Sequence, residues 1–224
     1  MGLPFVKICC ISSPEEASVA IAAGASAVGL VSAMPSGPGV IDDEAVRQIA
    51  AGVPPPTATF LLTALQTARE IIAQHHFCNT TTLQLVDRVA PAELRELRQA
   101  LPDVQLVQVI HVNGEASVQE AVEVTHYVDA LLLDSGNQNL AVKELGGTGR
   151  THNWELSREI VVACDVPVIL AGGLGPSNIS EAIVRVKPYG VDLCSSVRTD
   201  DKLDKSKLLA LFEAVRSANL IQEL

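Results

Sequence analysis

The sequence predicts a (β/α)8 TIM barrel, and three observations carry the prediction. Short β-branched apolar runs alternate with amphipathic stretches closed by Gly, Pro or Asp, the pattern of repeated βα units. The runs begin near Phe5, Ala27, Thr57, Thr81, Val104, Val128, Pro167 and Val191, with successive starts 22, 30, 24, 23, 24, 39 and 24 residues apart, each long enough for a strand, a helix and two loops. Runs such as Ala27-Val28-Gly29-Leu30-Val31 are apolar at every position, as parallel strands covered by helices require. A doubly wound open sheet is the architectural alternative, because period alone does not report closure.

The intervening helices have readable ends. After the first run, Ser13 precedes Pro14 at the first helical position and Gly24 stops the helix. Asp42-Asp43-Glu44 opens the second helix, His75-His76 closes the third, where the helix dipole is account enough for two histidines, and Pro91-Ala92-Glu93 opens the fourth. The widest interval, from Asp134 to Pro167, holds a Gly- and Asn-rich loop after the sixth run. Pro176-Ser177-Asn178 opens the seventh helix, and a last one runs from about Asp204 to Ala218.

With 224 residues, 48% of them hydrophobic, and no linker or low-complexity stretch, residues 1–224 are expected to form one barrel domain. A net charge of −10 repels phosphate backbones and anionic membranes, and seven aromatic residues give little to stack bases on, so nucleic acid is not an expected partner. No apolar run has the length of a membrane span, and the opening MGLPFVKICCI lacks a basic leader, so the expectation is a cytoplasmic protein with no membrane partner. The five cysteines are odd in number and lack metal-ligand spacing, which predicts free thiols and neither a disulfide framework nor a zinc site. A monomer or a homodimer is expected.

In a barrel, function gathers where strands end, which shortens the field to Cys9 and Cys10, Ser36, Gln84, His111, Asp134, two glycine loops and Ser195-Ser196. Cys9 shares a strand face with Lys7, whose ammonium favours a thiolate and hence a base; a small buried residue is the competing reading. Asp134 ends the run ALLLD, and a turn or helix cap is its competing reading. Ala171-Gly172-Gly173-Leu174 after the seventh run and Cys194-Ser195-Ser196 after the eighth are placed to cradle a phosphate with backbone amides, while Gly146-Gly147-Thr148-Gly149 is placed as a lid. A phosphorylated small molecule is therefore the expected ligand. His111 is read as a half-exposed loop residue.

The segment Lys7-Ile8-Cys9-Cys10-Ile11-Ser12, with AAGASAVGLV, LQLV, LLLDS, GGTGRTHNW, PVILAGGLGPSNI and GVDLCSSV in order, resembles the phosphoribosylanthranilate isomerases of tryptophan biosynthesis over nearly the whole chain. That resemblance implies a cofactor-independent Amadori rearrangement of a phosphoribosylated amine by an intramolecular oxidoreductase (aldose–ketose isomerase). It implies that Cys9 is the general base and Asp134 the general acid. It implies substrate contacts from Lys7, Gln84, Gly147, Arg150, Gly172, Gly173, Ser195 and Ser196, with the Gly172-Gly173 loop and Ser195-Ser196 on the phosphate. The departures gather on one side. Pro38 stands where the family has an arginine for the anthranilate carboxylate, Val86 replaces a histidine, and Cys10 and Ser196 replace glycines. Arg150 and Arg198 are the candidate replacement cations. A paralogue acting on another phosphorylated sugar and a non-catalytic phospholigand-binding barrel are the competing readings.

Overall fold

The computed structural model of the chain describes residues 4–136, 140, 143–145 and 149–222, and in it eight parallel strands close on themselves. They are β1 (Phe5–Ile8), β2 (Ala27–Val31), β3 (Ala58–Thr63), β4 (Thr82–Leu85), β5 (Gln105–His111), β6 (Ala130–Asp134), β7 (Val168–Leu170) and β8 (Gly190–Leu193). Closure is explicit in the register: Lys7 of β1 pairs with Ala27 of β2 on one side and with Asp192 of β8 on the other. The open-sheet alternative is thereby excluded. Strand starts fall within two residues of those read from the sequence.

The helices follow in turn as α1 (Pro14–Ala23), α2 (Asp43–Gly52), α3 (Ala68–Cys78), α4 (Pro91–Ala100), α5 (Ala116–Val124), α6 (Trp154–Ala163), α7 (Ile179–Val186) and α8 (Lys205–Gln222). Local chemistry sets their ends. Ser13 accepts the Glu16 amide, Asp42 that of Ala45, and left-handed Gly24 (φ +111°) returns its N–H to Ala20 and Ile21. The seventh helix departs from expectation: Pro176 does not open it. Residues 176–178 form a turn because the Asn178 side chain accepts from the Gly175 amide and donates to the Gly173 carbonyl, and helical bonding starts only at Ile179. After β8 come a 3-10 turn (Ser195–Val197) and a small hairpin of β9 (Arg198–Thr199) with β10 (Lys202–Leu203).

Strand parity divides the core in two. Side chains such as Ile8, Leu30, Leu83 and Leu133 point outward into a shell packed by the helices. Those of Ala27, Phe60, Val107, Leu132 and Ile169 fill the barrel itself. Into that apolar interior β1 and β8 direct Lys7 and Asp192, which form a 2.9 Å ion pair. A lone ammonium there would be costly to bury, and the carboxylate offsets that cost. Among the described residues, no helix is long and apolar enough to cross a membrane.

Candidate active site

The carboxyl ends of the strands surround a cleft of about 660 Å³, counted out to open solvent. Cys9, immediately after β1, and Asp134, the last residue of β6, both line it. Each is carried inward by the parity of its strand, so the barrel sets two titratable groups on well-separated walls of one mouth.

Their electrostatics diverge. The Cys9 thiol lies below its ordinary range, first because the Cys10 side chain hydrogen-bonds to it and then because Lys7 is positive; burial and Asp192 oppose both. The neighbouring thiol thus outranks the lysine named from sequence. Asp134 is pushed upward, chiefly by burial, against the Ser135 amide that bonds its Oδ1 at 2.7 Å and the attraction of His111 and Lys7. That amide contact is the turn role foreseen for Asp134, and the carboxyl fulfils it while facing the cleft.

Room for the thiol comes from Gly29 on β2, which sequence reading passed over. A Cβ there would stand 2.9 Å from Cys9 Sγ and 3.0 Å from Lys7 Nζ, so the bare Cα is the floor on which both groups rest. A glycine in the middle of an apolar strand was the available signal. Lys7 itself is fully buried beneath the cleft, and its partner Asp192 reaches the cleft wall.

Gly172, Gly173 and Ser195 come together at one part of the cleft. Gly172 (φ +79°) and Gly173 (φ +61°) follow β7, and a Cβ on Gly173 would stand 2.6 Å from the backbone at Arg150 and Thr151, so this turn tolerates no side chain. Ser195 faces the same cleft from the turn after β8. The Ser196 hydroxyl is buried and finds no partner among the described residues. On the far wall Gln84 of β4 lines the cleft, and its Oε1 is likewise without a partner there. Gly147 lies outside the described residues.

The remaining wall, formed by Val31, Met34, Pro38 and Leu62, is apolar. The candidate cations are engaged elsewhere: Arg150 pairs with Glu144, and Arg198 turns away to Glu16 and the backbone of Cys9 and Cys10. The proposed use of Arg198 as a replacement cation on this wall is therefore corrected, because its side chain is 8% exposed and its guanidinium is held by Glu16. His111 is also corrected. It is the last residue of β5, 3% exposed, with Nε2 3.1 Å from the Val86 carbonyl, because strand pairing continues to the Asp134 position. A contact not foreseen ties two mouth loops: Ser36 donates to the Lys143 carbonyl at 2.6 Å while Lys143 pairs with Asp87. Among the described residues, no group of three His, Cys, Asp or Glu side chains is arranged to hold a metal ion.

A sequence profile of N-(5'-phosphoribosyl)anthranilate (PRA) isomerase matches residues 6–214. An N-(5'-phosphoribosyl)anthranilate isomerase of Methanocella arvoryzae is 34% identical over 212 residues, which span 94% of this chain and 97% of the relative. The crystal structure of phosphoribosyl anthranilate isomerase from Thermus thermophilus matches with TM-score 0.79 at 27% identity, over 95% of this chain and 98% of that one. A phosphoribosyl anthranilate isomerase in complex with reduced 1-(o-carboxyphenylamino)-1-deoxyribulose 5-phosphate shares the fold, with TM-score 0.80 at 23% identity over 96% of this chain and 100% of that one.

Proposed function

This chain belongs to the N-(5'-phosphoribosyl)anthranilate isomerase family, a family of aldose–ketose isomerases, and from that premise we propose that it rearranges N-(5'-phosphoribosyl)anthranilate to the 1-deoxyribulose form with Asp134 as general acid and Cys9 as general base. Protonation of the furanose oxygen by the Asp134 carboxyl lets the C1′–O bond break toward a Schiff base, the nitrogen lone pair forming the C=N bond. The Cys9 thiolate then removes the proton from C2′; the electron pair of that C–H bond becomes the C1′=C2′ double bond while the C=N π pair returns to the nitrogen, giving an enolamine. Return of a proton completes an isomerisation with no net oxidation. A buried carboxyl held upward keeps a proton to give, and a thiol held downward has a lone pair to take one.

The observation that carries this reading is that both groups line one cleft with their acidities moved in these opposite directions. The bare amides at Gly172 and Gly173, with the turn at Ser195 and Ser196, suit the substrate phosphate, as the 5-phosphate on the ligand of one structural neighbour supports. A binding module would need that cradle but neither acid nor base. The test is turnover of phosphoribosylanthranilate by the purified protein, followed as loss of anthranilate-type fluorescence. Cys9→Ser and Asp134→Asn should each lose at least about 100-fold in kcat while still binding a reduced product analogue. Wild-type rates in either variant refute its role.

A second reading is favoured by the apolar wall. No lysine or arginine of the described residues lines the cleft, so an aglycone other than anthranilate fits that side. An intact charged contact of about 1.5–3 kcal/mol would give an analogue bearing the carboxylate a roughly 10- to 150-fold advantage in a titration. Equal binding of the analogue without it, together with poor turnover of phosphoribosylanthranilate, supports the other aglycone.

A further inference from the structure

Arg198 lies outside the cleft, yet it is the side chain most completely committed to the segment that carries Cys9. Its Nη2 donates to the carbonyls of Cys9 (3.3 Å) and Cys10, and its Nη1 donates to the carbonyl of Asp201 (2.9 Å). Both nitrogens reach Glu16, at 3.1 and 3.2 Å. Glu16 grips the same segment from the amide side. Its Oε2 accepts from the Ser12 amide at 3.0 Å and the Ser12 hydroxyl at 3.2 Å, and its Oε1 accepts from the Leu203 amide at 2.8 Å. The chain from Cys9 to Ser12 is thus clamped on both sides by one nearly buried ion pair.

A clamp is needed there because Cys10 occupies the left-handed region at φ +62°, which is strained for a residue with a Cβ. The side chain of Cys10 makes thiol contacts, with Cys9 and Cys194, and none to a charged group among the described residues. Its Sγ makes a long 3.6 Å approach to the Pro38 carbonyl and crowds Gly39. The amides on either side of Cys10 are held by the barrel, Cys9 N–H donating to the Leu193 carbonyl at 2.8 Å and Ile11 N–H to the Gly29 carbonyl at 3.0 Å, whereas the carbonyls of Cys9 and Cys10 are held by Arg198. Arg198 also sits two residues after Ser196, so the guanidinium joins the turn facing the phosphate side to the backbone of the thiol.

We infer that Arg198 is a positioning residue for the isomerisation, holding the left-handed Cys9-Cys10 turn so that the Cys9 thiol stays aimed at the reacting carbon. The inference rests on the reading of Cys9 as the base. An error of about 1 Å in such a group costs on the order of 100-fold. Arg198→Ala should therefore lower kcat by roughly 10- to 100-fold with KM for phosphoribosylanthranilate changed less than about threefold, and should slow iodoacetamide alkylation of Cys9 at neutral pH several-fold. Arg198→Lys should recover part of both, since one ammonium can serve the carbonyls or Glu16 but not the whole fork. Should Arg198→Ala fail to fold, Arg198→Lys and Glu16→Gln carry the same two readouts. Wild-type kcat and wild-type alkylation in a folded variant, with only a lower melting temperature, overturn the inference, because they describe a purely structural clamp. Cys9→Ser separates the two claims: full activity in that variant refutes the base, whereas an inactive Cys9→Ser beside a fully active Arg198→Ala refutes the positioning role alone.

Discussion

Replacing Lys7 by methionine would leave the Asp192 carboxylate inside the barrel without its cation. Lys7 is fully buried, Asp192 is 8% exposed at the cleft wall, and the two stand 2.9 Å apart, so the ammonium has no water to fall back on and the carboxylate little. Losing one member of such a pair costs about 3–5 kcal/mol. A second route to the figure agrees. The stranded carboxylate can escape by taking a proton, and from an ordinary value of 3.8 that costs about 4 kcal/mol at pH 7 but under 2 kcal/mol at pH 5. The destabilisation must therefore grow as pH rises. Urea unfolding at both pH values measures it, and at pH 7 the melting temperature should fall by about 8–16 °C for a chain of this length. Lys7→Met combined with Asp192→Leu should regain most of the loss, because an apolar pair of similar volume suits this interior. The variant's Cys9 should also alkylate more slowly at neutral pH, since Lys7 favours its thiolate. A single variant destabilised by less than about 1 kcal/mol, or a double variant as unstable as the single one, would refute the account.

Gly29→Ala places its Cβ 3.1 Å from the Cys9 Cα as well as against Sγ and Nζ, so backbone must move. A cost of about 1–3 kcal/mol and a turnover loss on the order of 100-fold are expected, while Gly52→Ala, which meets nothing within 4 Å, serves as the control in the same melts and assays. Asp134→Asn should abolish most activity yet stabilise the fold at neutral pH. The folded Asp134 holds its proton more tightly than the unfolded chain does, so wild-type stability falls as pH rises from about 3.8 through the raised folded value. Denaturation from pH 4 to pH 8 should show the advantage of the asparagine widening with pH, and a constant gap would mean that burial is not what raises Asp134.

Much of the site was legible because a barrel converts sequence position into spatial position. Strand parity alone placed Lys7 and Cys9 on one inward face, and the order of the units brought the ends of the first, sixth, seventh and eighth strands to a common mouth. The same logic missed whatever depends on a partner distant in the chain. The Arg198–Glu16 clamp joins residues 182 positions apart, and nothing in either local pattern announces the other. His111 read as a loop residue because its burial depends on strand pairing with Asp134, and the seventh helix read too early because the asparagine that delays it bonds back into the glycine turn. What the sequence by itself determined is the repeat, the inward and outward faces and the residue types offered at each strand end, since these follow from period and side-chain chemistry. Only the tertiary structure decided that the sheet closes, that Gly29 of the neighbouring strand makes room for the Cys9 thiol, and that the missing cation is not made good by Arg198, because closure, burial and the direction of a long side chain are set by contacts between segments and not within them.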